Sequence, residues 1–307
     1  MKKLRVLFFG TPQLSADILS YLTTREDVVE IIGVVTNPDK IGGRGHEIIS
    51  SPVAKMAQEK NIRLLQPEKV KNEDFLATVR ELAPDICIVV AYGKILPQVL
   101  LDIPPMGFLN VHTSLLPKYR GAAPIQHALL NGETTTGLTI MQMSLGMDEG
   151  DILLQETWRI SPADTTGTLF ALTGQQAGPL LIDALIGLLD GTVKPKPQHT
   201  NEATYTKMIE KKDGELQPSW TVEQAYNAWQ AYTPWPGLFC MYGDIRVTLL
   251  EVQKHSELSE ENLGTWIIHE KLPAIVLSDG MLTIKSIHPA GKKPMTGEEF
   301  VRGFMRD

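Results

Sequence analysis

The residues that most invite chemistry lie in the run Phe108-Leu-Asn-Val-His-Thr-Ser-Leu-Leu-Pro, where Asn110 and His112 stand two positions apart. On a strand, side chains two apart share a face, so this carboxamide and imidazole would project together. Under a covering helix, two neighbouring polar groups on one face are costly unless they are hydrogen-bonded or employed. A satisfied buried histidine with an asparagine partner is the plain alternative. Further on, Ser144-Leu-Gly-Met-Asp-Glu-Gly-Asp sets Asp148 in a glycine-flanked loop after a strand that can neighbour the first. Alone, that acidic loop reads as a turn. Jointly, the three groups suit acyl transfer to an amine with no covalent enzyme intermediate. A neutral amine attacks a carbonyl, charge builds on its oxygen, and a proton must pass from the nitrogen to the departing group. Asn110 can donate to that oxygen, and His112 can stabilise it or shuttle the proton. Asp148, accepting from His112, would fix its tautomer and partner its charged form. Ligands of open parallel sheets lie beyond the carboxyl ends of the strands, and the Asp148 loop is expected there.

Other chemistries fit less well. A serine hydrolase would need a nucleophile elbow, and no Gly-x-Ser-x-Gly is present; Ser114, near His112, is its single candidate. The opening Gly10-Thr-Pro-Gln-Leu-Ser lacks the later glycines that let a helix approach a pyrophosphate, so a nicotinamide cofactor would rest on fold analogy alone. The seven histidines include no His-x-x-x-His pair or His/Cys cluster, so no metal is expected. Cys87 and Cys240 are far apart and read as buried thiols rather than a disulfide or zinc set. The formal charge of -7, from 29 basic and 36 acidic residues, is the wrong sign for a protein that coats nucleic acid, so any RNA contact must be local. The basic groups available for it are Lys40 with Arg44, Lys207 with Lys211 and Lys212, and Lys292 with Lys293 and Arg302. Each alone reads equally as a solvated face.

The elements that must hold these residues follow from periodicity. Leu4 to Phe9 reads as a strand, Gly10-Thr-Pro as a turn and Leu14 to Leu22 as a helix. The alternation continues with strands at Val28 to Thr36, Ile62 to Leu65 and Asp85 to Val90, and helices at Pro52 to Lys60 and Asn72 to Leu82. Phe108 to His112 and Gly137 to Met143 follow as strands, and Leu169 to Leu189 as a long helix. Such alternation implies an α/β, Rossmann-like, mostly parallel sheet covered on both faces. From Asp190 a polar, proline-bearing stretch without periodicity suggests a linker. Beyond it, a helix at Val222 to Gln230 precedes short β-like runs at Ile245 to Val252, Trp266 to His269, Ala274 to Leu277 and Met281 to Ile287. That text suits a small OB-like β-barrel. The expected division is a catalytic domain at 1–189, a linker at 190–208 and a second domain at 209–307. No uninterrupted apolar stretch approaches the roughly 20 residues of a membrane helix, and a cytoplasmic location without a membrane is expected.

From Asn110 through Tyr119-Arg-Gly-Ala-Ala-Pro-Ile-Gln126, the chain strongly resembles the folate-dependent formyltransferases. Supporting blocks are Phe9-Gly-Thr-Pro, Thr36-Asn-Pro-Asp-Lys with Gly43-Arg-Gly, Gln66-Pro, Met147-Asp-Glu-Gly-Asp, Pro234-Trp-Pro-Gly and Gly291-Lys-Lys-Pro-Met-Thr-Gly. The resemblance implies that Asn110, His112 and Asp148 are the catalytic trio. It implies that Ser114, Leu115, Leu116 and Pro117 meet the carrier, 10-formyltetrahydrofolate, and that the loop before Asp148 shapes the pterin pocket. It further implies initiator methionyl-tRNA as the acceptor, with Arg44 reaching its acceptor end and the C-terminal barrel, with Lys207, Lys211 and Lys212, gripping the acceptor arm. An arginine between glycines can approach a backbone closely and pair with phosphate. Trp235 reads rather as packing than as a base-stacking platform. Within the enzymes, an amino-sugar nucleotide is the rival acceptor; from another class, the rival is an RNA-binding protein on an inactive scaffold. No obligate protein partner is evident.

Overall fold

The computed structural model describes residues 3–42 and 47–305. In chain order its elements are β1 (Leu4–Gly10), α1 (Gln13–Leu22), β2 (Val29–Val35), β3 (Lys40–Gly42), β4 (Glu47–Ile49), α2 (Pro52–Glu59), β5 (Leu64–Leu65), α3 (Glu73–Leu82), β6 (Ile86–Val90), α4 (Gln98–Leu101), β7 (Phe108–His112), β8 (Arg120–Gly121) and α5 (Pro124–Leu130). There follow β9 (Thr135–Gln142), β10 (Ile152–Arg159), α6 (Thr166–Asp190), β11 (Tyr205–Thr206), α7 (Val222–Tyr232), β12 (Phe239–Tyr242), β13 (Ile245–His255), β14 (Trp266–His269), β15 (Leu272–Leu277), β16 (Gly280–Pro289), β17 (Met295–Thr296) and α8 (Gly297–Phe304). The chain divides into two compact units. Met1–Gly121, Thr136–Trp158 and Phe170–Tyr205 form the first; Ala122–Thr135, Arg159–Leu169 and Thr206–Asp307 form the second.

The first unit is built on a sheet of order β10-β9-β7-β6-β1-β2-β5. β1 runs parallel to β2 and β6, β2 to β5, and β6 to β7, whereas β7 and β9 are antiparallel. The sheet is thus mostly parallel, and its central strands are apolar on both faces, as strands under helices must be. One face carries Val6, Phe8, Ile88, Leu109 and Val111 into a core completed by Ile18, Leu19 and Leu22 of α1 and Ala177, Leu181 and Leu185 of α6. The other carries Leu7, Phe9, Cys87, Val89 and Phe108 against Phe75, Leu76, Val79 and Leu82 of α3 and Leu100 and Leu101 of α4. Local signals agree with this layering: Ser51 caps α2 by accepting from Ala54 N–H, with Pro52 in the first turn, and Asn72 caps α3 by accepting from Asp74 N–H.

Two features of the first unit bear on the expectations of membrane and linker. α6 is long and apolar enough to cross a membrane by length and composition, with a mean hydropathy of 1.3 over its most apolar 18 residues. Half of that window is buried inside the fold, which is how the core helix of a globular unit behaves. The stretch after it is no free tether either: Lys196 bridges Ile152 with reciprocal N–H···O bonds of 2.9 and 2.8 Å. β10, α4, α5, β12 and α8 were not legible as elements, being short or, for β10, half exposed and mixed in polarity.

The second unit holds an antiparallel sheet of order β12-β13-β16-β15-β14, with β17 paired to β16. β13 is eleven residues long and shifts register against β16 on both sides of Glu251, the mark of a bulged, bent strand. Trp266 of β14 donates its indole N–H to Met241 O of β12 at 2.9 Å, joining the two ends of the strand order. The sheet is therefore barrel-like. α8, started by a Thr296/Glu299 capping box, seats Phe300 fully buried beside Tyr242 and Trp266. Trp235 is 49% exposed.

Candidate active site

β7 positions Asn110 and His112 on the face that also carries Phe108, as the two-residue period demands. Phe108 is covered by the α3 and α4 core; Asn110 is half-buried and His112 is buried at 5% exposure. Their cover is the loop between β9 and β10. Because β9 is antiparallel to β7, with Leu109 opposite Gln142 and His112 opposite Thr139, that loop leaves the sheet level with the start of β7. The expectation that it springs from the carboxyl ends of the strands is therefore corrected: Met143 bonds Phe108 O at 2.8 Å, and the loop then runs back along β7. It closes on itself where Gln142 N–H meets Asp151 O at 2.8 Å. Gly150 is needed there, since a Cβ at this position would lie 1.6 Å from Gln142 O.

At the loop's far end Asp148 adopts φ +52°, a left-handed conformation that asparagine and aspartate tolerate better than most side chains. This brings its half-buried carboxylate over both polar residues of β7. Asn110 Nδ2 donates toward Asp148 Oδ1 at 3.5 Å, and His112 Nδ1 is 3.6 Å from Asp148 Oδ2. Both contacts are long. The shorter bond to the carboxylate comes from a main chain: Gly121 N–H donates to Oδ2 at 2.8 Å. The trio drawn from two distant stretches is thus assembled in one place.

His112 Nε2 lies 2.8 Å from Tyr119 O. A carbonyl only accepts, so Nε2 carries the proton and the neutral ring keeps its lone pair on Nδ1, facing Asp148. The tautomer is set by a backbone carbonyl rather than by Asp148. Tyr119 itself stands at φ +60°, which turns that carbonyl toward the ring. Two non-glycine residues in left-handed backbone therefore flank one histidine, a concentration of local strain that folds retain where geometry is employed. The arrangement offers a donor carboxamide, a ring nitrogen able to accept a proton, and a carboxylate to receive the resulting charge.

Ser114 is buried, and its hydroxyl donates to Lys118 O at 2.7 Å, a turn bond that takes it out of the role of nucleophile. Ser114 O accepts from Thr139 Oγ1 at 2.6 Å, Thr139 Oγ1 accepts from Leu116 N–H at 3.2 Å, and Leu116 O accepts from Gln155 Nε2 at 2.9 Å. The backbone of Ser114 to Pro117 is thereby held against β9 and β10, with Leu115 and Pro117 half-buried and Leu116 buried. Arg44 lies outside the described residues. In the second unit Lys207, Lys211 and Lys212 are exposed; His127 Nε2 bonds Lys207 O at 3.0 Å, and Lys212 pairs with Glu210 at 2.8 Å. Gly121 and Tyr119 went unnoticed in the sequence because they act through main-chain atoms. Among the described residues no cluster of three or more His, Cys, Asp or Glu is arranged to hold a metal.

The chain belongs to the formyl transferase family: the formyl transferase model matches residues 2–185, and the formyl transferase C-terminal domain model matches 208–305. Within that family it is similar to methionyl-tRNA formyltransferase of Desulfotalea psychrophila, 38% identical over 304 residues and covering 98% of this chain and 93% of that one. The methionyl-tRNA formyltransferase of Acidobacterium capsulatum is 39% identical, covering 98% and 96%. Among solved structures, the N-formyltransferase from Helicobacter canadensis in complex with folinic acid and dTDP-3-aminofucose shares the fold at a TM-score of 0.68 and 19% identity, covering 92% of this chain and 98% of that one. HypX from Aquifex aeolicus in complex with tetrahydrofolic acid superposes at 0.66 with 18% identity over 99% of this chain, which spans 48% of HypX.

Proposed function

We propose that this protein transfers the formyl group of 10-formyltetrahydrofolate to the amino group of methionine on initiator methionyl-tRNA, in the cytoplasm, for translation initiation. The observation that carries the chemistry is the convergence of Asn110, His112 and Asp148 around one space on β7. The choice of acceptor draws its support from relatives near 38% identity over almost the whole chain that bear that name, against sugar formyltransferases near 19%.

In this reading the methionyl amine attacks the formyl carbon. His112 Nδ1 accepts the amine proton as the new C–N bond forms, and Asp148 partners the imidazolium while Tyr119 O keeps hold of Nε2–H. Asn110 Nδ2 has a second proton besides the one aimed at Asp148, and donates it to the oxygen on which charge accumulates. As the C–N10 bond to the folate breaks, the proton held by His112 leaves for the departing nitrogen, so atoms and charge balance and no covalent enzyme intermediate is needed. The half-buried Leu115 and Pro117 of the 114–117 segment supply the carrier's resting surface. Residues 1–189 act as the catalytic domain, 190–208 as the connection, and 209–307, with Lys207, Lys211, Lys212 and Arg44 of the first domain, as the means of gripping the tRNA. No metal takes part in this scheme.

The test is direct. With 10-formyltetrahydrofolate as donor, formylmethionine is expected on charged initiator tRNA and not on charged elongator tRNA. Formylation of an amino-sugar nucleotide in place of the tRNA would overturn the acceptor.

A further inference from the structure

Asp148 is the member of the trio that must be brought from elsewhere, yet its contacts to Asn110 and His112, at 3.5 and 3.6 Å, are too long to hold it. What does hold its backbone lies in the stretch that the sequence presents as a linker. Gln198 Nε2 donates to both Asp148 O and Gly150 O, each at 2.7 Å, so one carboxamide spans the residues on either side of Glu149. Its own oxygen accepts from Arg120 Nε at 3.1 Å and Nη2 at 2.9 Å. Arg120 is 1% exposed; its Nη1 reaches Tyr205 OH at 3.0 Å and Glu149 Oε1 at 3.3 Å, and its backbone N–H donates to Thr204 O at 2.8 Å. Tyr205 OH completes the ring of contacts by donating to Glu149 Oε1 at 3.1 Å. The residue after Arg120 is Gly121, whose N–H makes the 2.8 Å bond to the catalytic carboxylate.

We infer that Gln198 and Arg120 are positioning residues: together they clamp the 148–150 backbone and align the Asp148 carboxylate with His112 and Asn110. A buried guanidinium is costly unless its donors are used, and here its fork is spent on a glutamine that passes the constraint to the catalytic loop. Left-handed backbone at Asp148 is a conformation that the surroundings must impose, and two carbonyls captured by one amide impose it. The segment around Gln198 is consequently part of the active site as well as the connection that follows α6. This inference rests on the proposed formyl transfer for its kinetic test but not for its structural one.

Gln198→Ala is expected to lower kcat about 10- to 100-fold, the scale on which small misplacements of a catalytic group act, with KM for both substrates within about threefold. Amide hydrogen exchange should quicken at least about tenfold in peptides holding 146–151 and Gly121, while the lost acceptor of Arg120 lowers the thermal midpoint without unfolding the protein at the assay temperature. Gln198→Glu keeps the acceptor for Arg120 but, when ionised, turns an oxygen toward the two carbonyls. With Arg120 beside it the carboxyl stays ionised, so the donor to Asp148 O and Gly150 O is lost and kcat should fall at least as far as in Gln198→Ala, although the partner of Arg120 is kept. The inference is overturned by an unchanged kcat, by a loss that falls on KM instead, by parent-like turnover of Gln198→Glu, or by unchanged exchange in the loop. Failure of the parent protein to formylate methionyl-tRNA would count against the proposed acceptor alone, because the exchange measurement reads the clamp without substrate.

Discussion

His112 sits between two acceptors, Tyr119 O at 2.8 Å and Asp148 Oδ2 at 3.6 Å, and the asymmetry of those distances assigns its proton to Nε2. Nitrogen NMR of ring-labelled histidine should therefore report the Nε2–H tautomer for neutral His112, whereas an Nδ1–H tautomer would mean that Asp148, not Tyr119, sets the ring. Asp148→Asn retains the shape and the tolerance for left-handed backbone but removes the charge. It should reduce kcat by about 10²- to 10³-fold with the fold intact, the usual cost of losing a charge-stabilising partner. Turnover within about fivefold of the parent protein would remove the carboxylate from the mechanism. At this scale the sequence was informative: the two-residue spacing of Asn110 and His112 places them on one face without any knowledge of the rest. Tyr119 and Gly121 were not legible, since the atoms they contribute are common to every residue.

The β9–β10 loop shows where element-level reading stopped. A strand at Gly137 to Met143 followed from its apolar run, but nothing in a pattern of side chains tells direction, and the antiparallel course of β9 changes where the loop begins. The polar stretch before β11 had no periodicity, so its grip on the 148–150 backbone, made across about fifty residues of sequence, could not be inferred from local signals. The loop's closure depends on Gly150 lying against Gln142 O. Gly150→Ala forces that main-chain contact apart, so we expect a loss of stability of about 1 to 3 kcal/mol together with a kcat lowered beyond what that loss explains. A variant with parent-like melting and turnover would show that the loop closes in some other way.

Over the whole molecule, the alternation of apolar strands and amphipathic helices made the mostly parallel sheet legible, and the change in texture near residue 190 marked the passage toward an antiparallel, barrel-like unit. The sequence did not disclose that the chain crosses between units more than once, with Ala122–Thr135 and Arg159–Leu169 belonging to the second. The core of the first unit has a consequence in alkali. Burial pushes the Cys87 thiol well above its ordinary value of 9.0 and the Tyr92 phenol from 10.0 to about 12. Both groups favour the neutral form more strongly in the folded state, so their contribution to stability is complete below their unfolded values and drains away as pH climbs toward the folded ones. The urea midpoint should hold to about pH 9 and fall steadily above it, with Cys87 silent to thiol reagents until unfolding; a midpoint flat to about pH 11 would contradict this.

Formyl transfer to methionine on the initiator tRNA is proposed to rest on the three converged side chains. Single-turnover transfer from 10-formyltetrahydrofolate, with enzyme in excess over charged initiator tRNA, isolates that step from binding and release. Asn110→Ala and His112→Ala are expected to transfer at rates at least about 100-fold below the parent protein with tRNA affinity retained. Rates within about threefold, or losses traced wholly to tRNA binding, would contradict it.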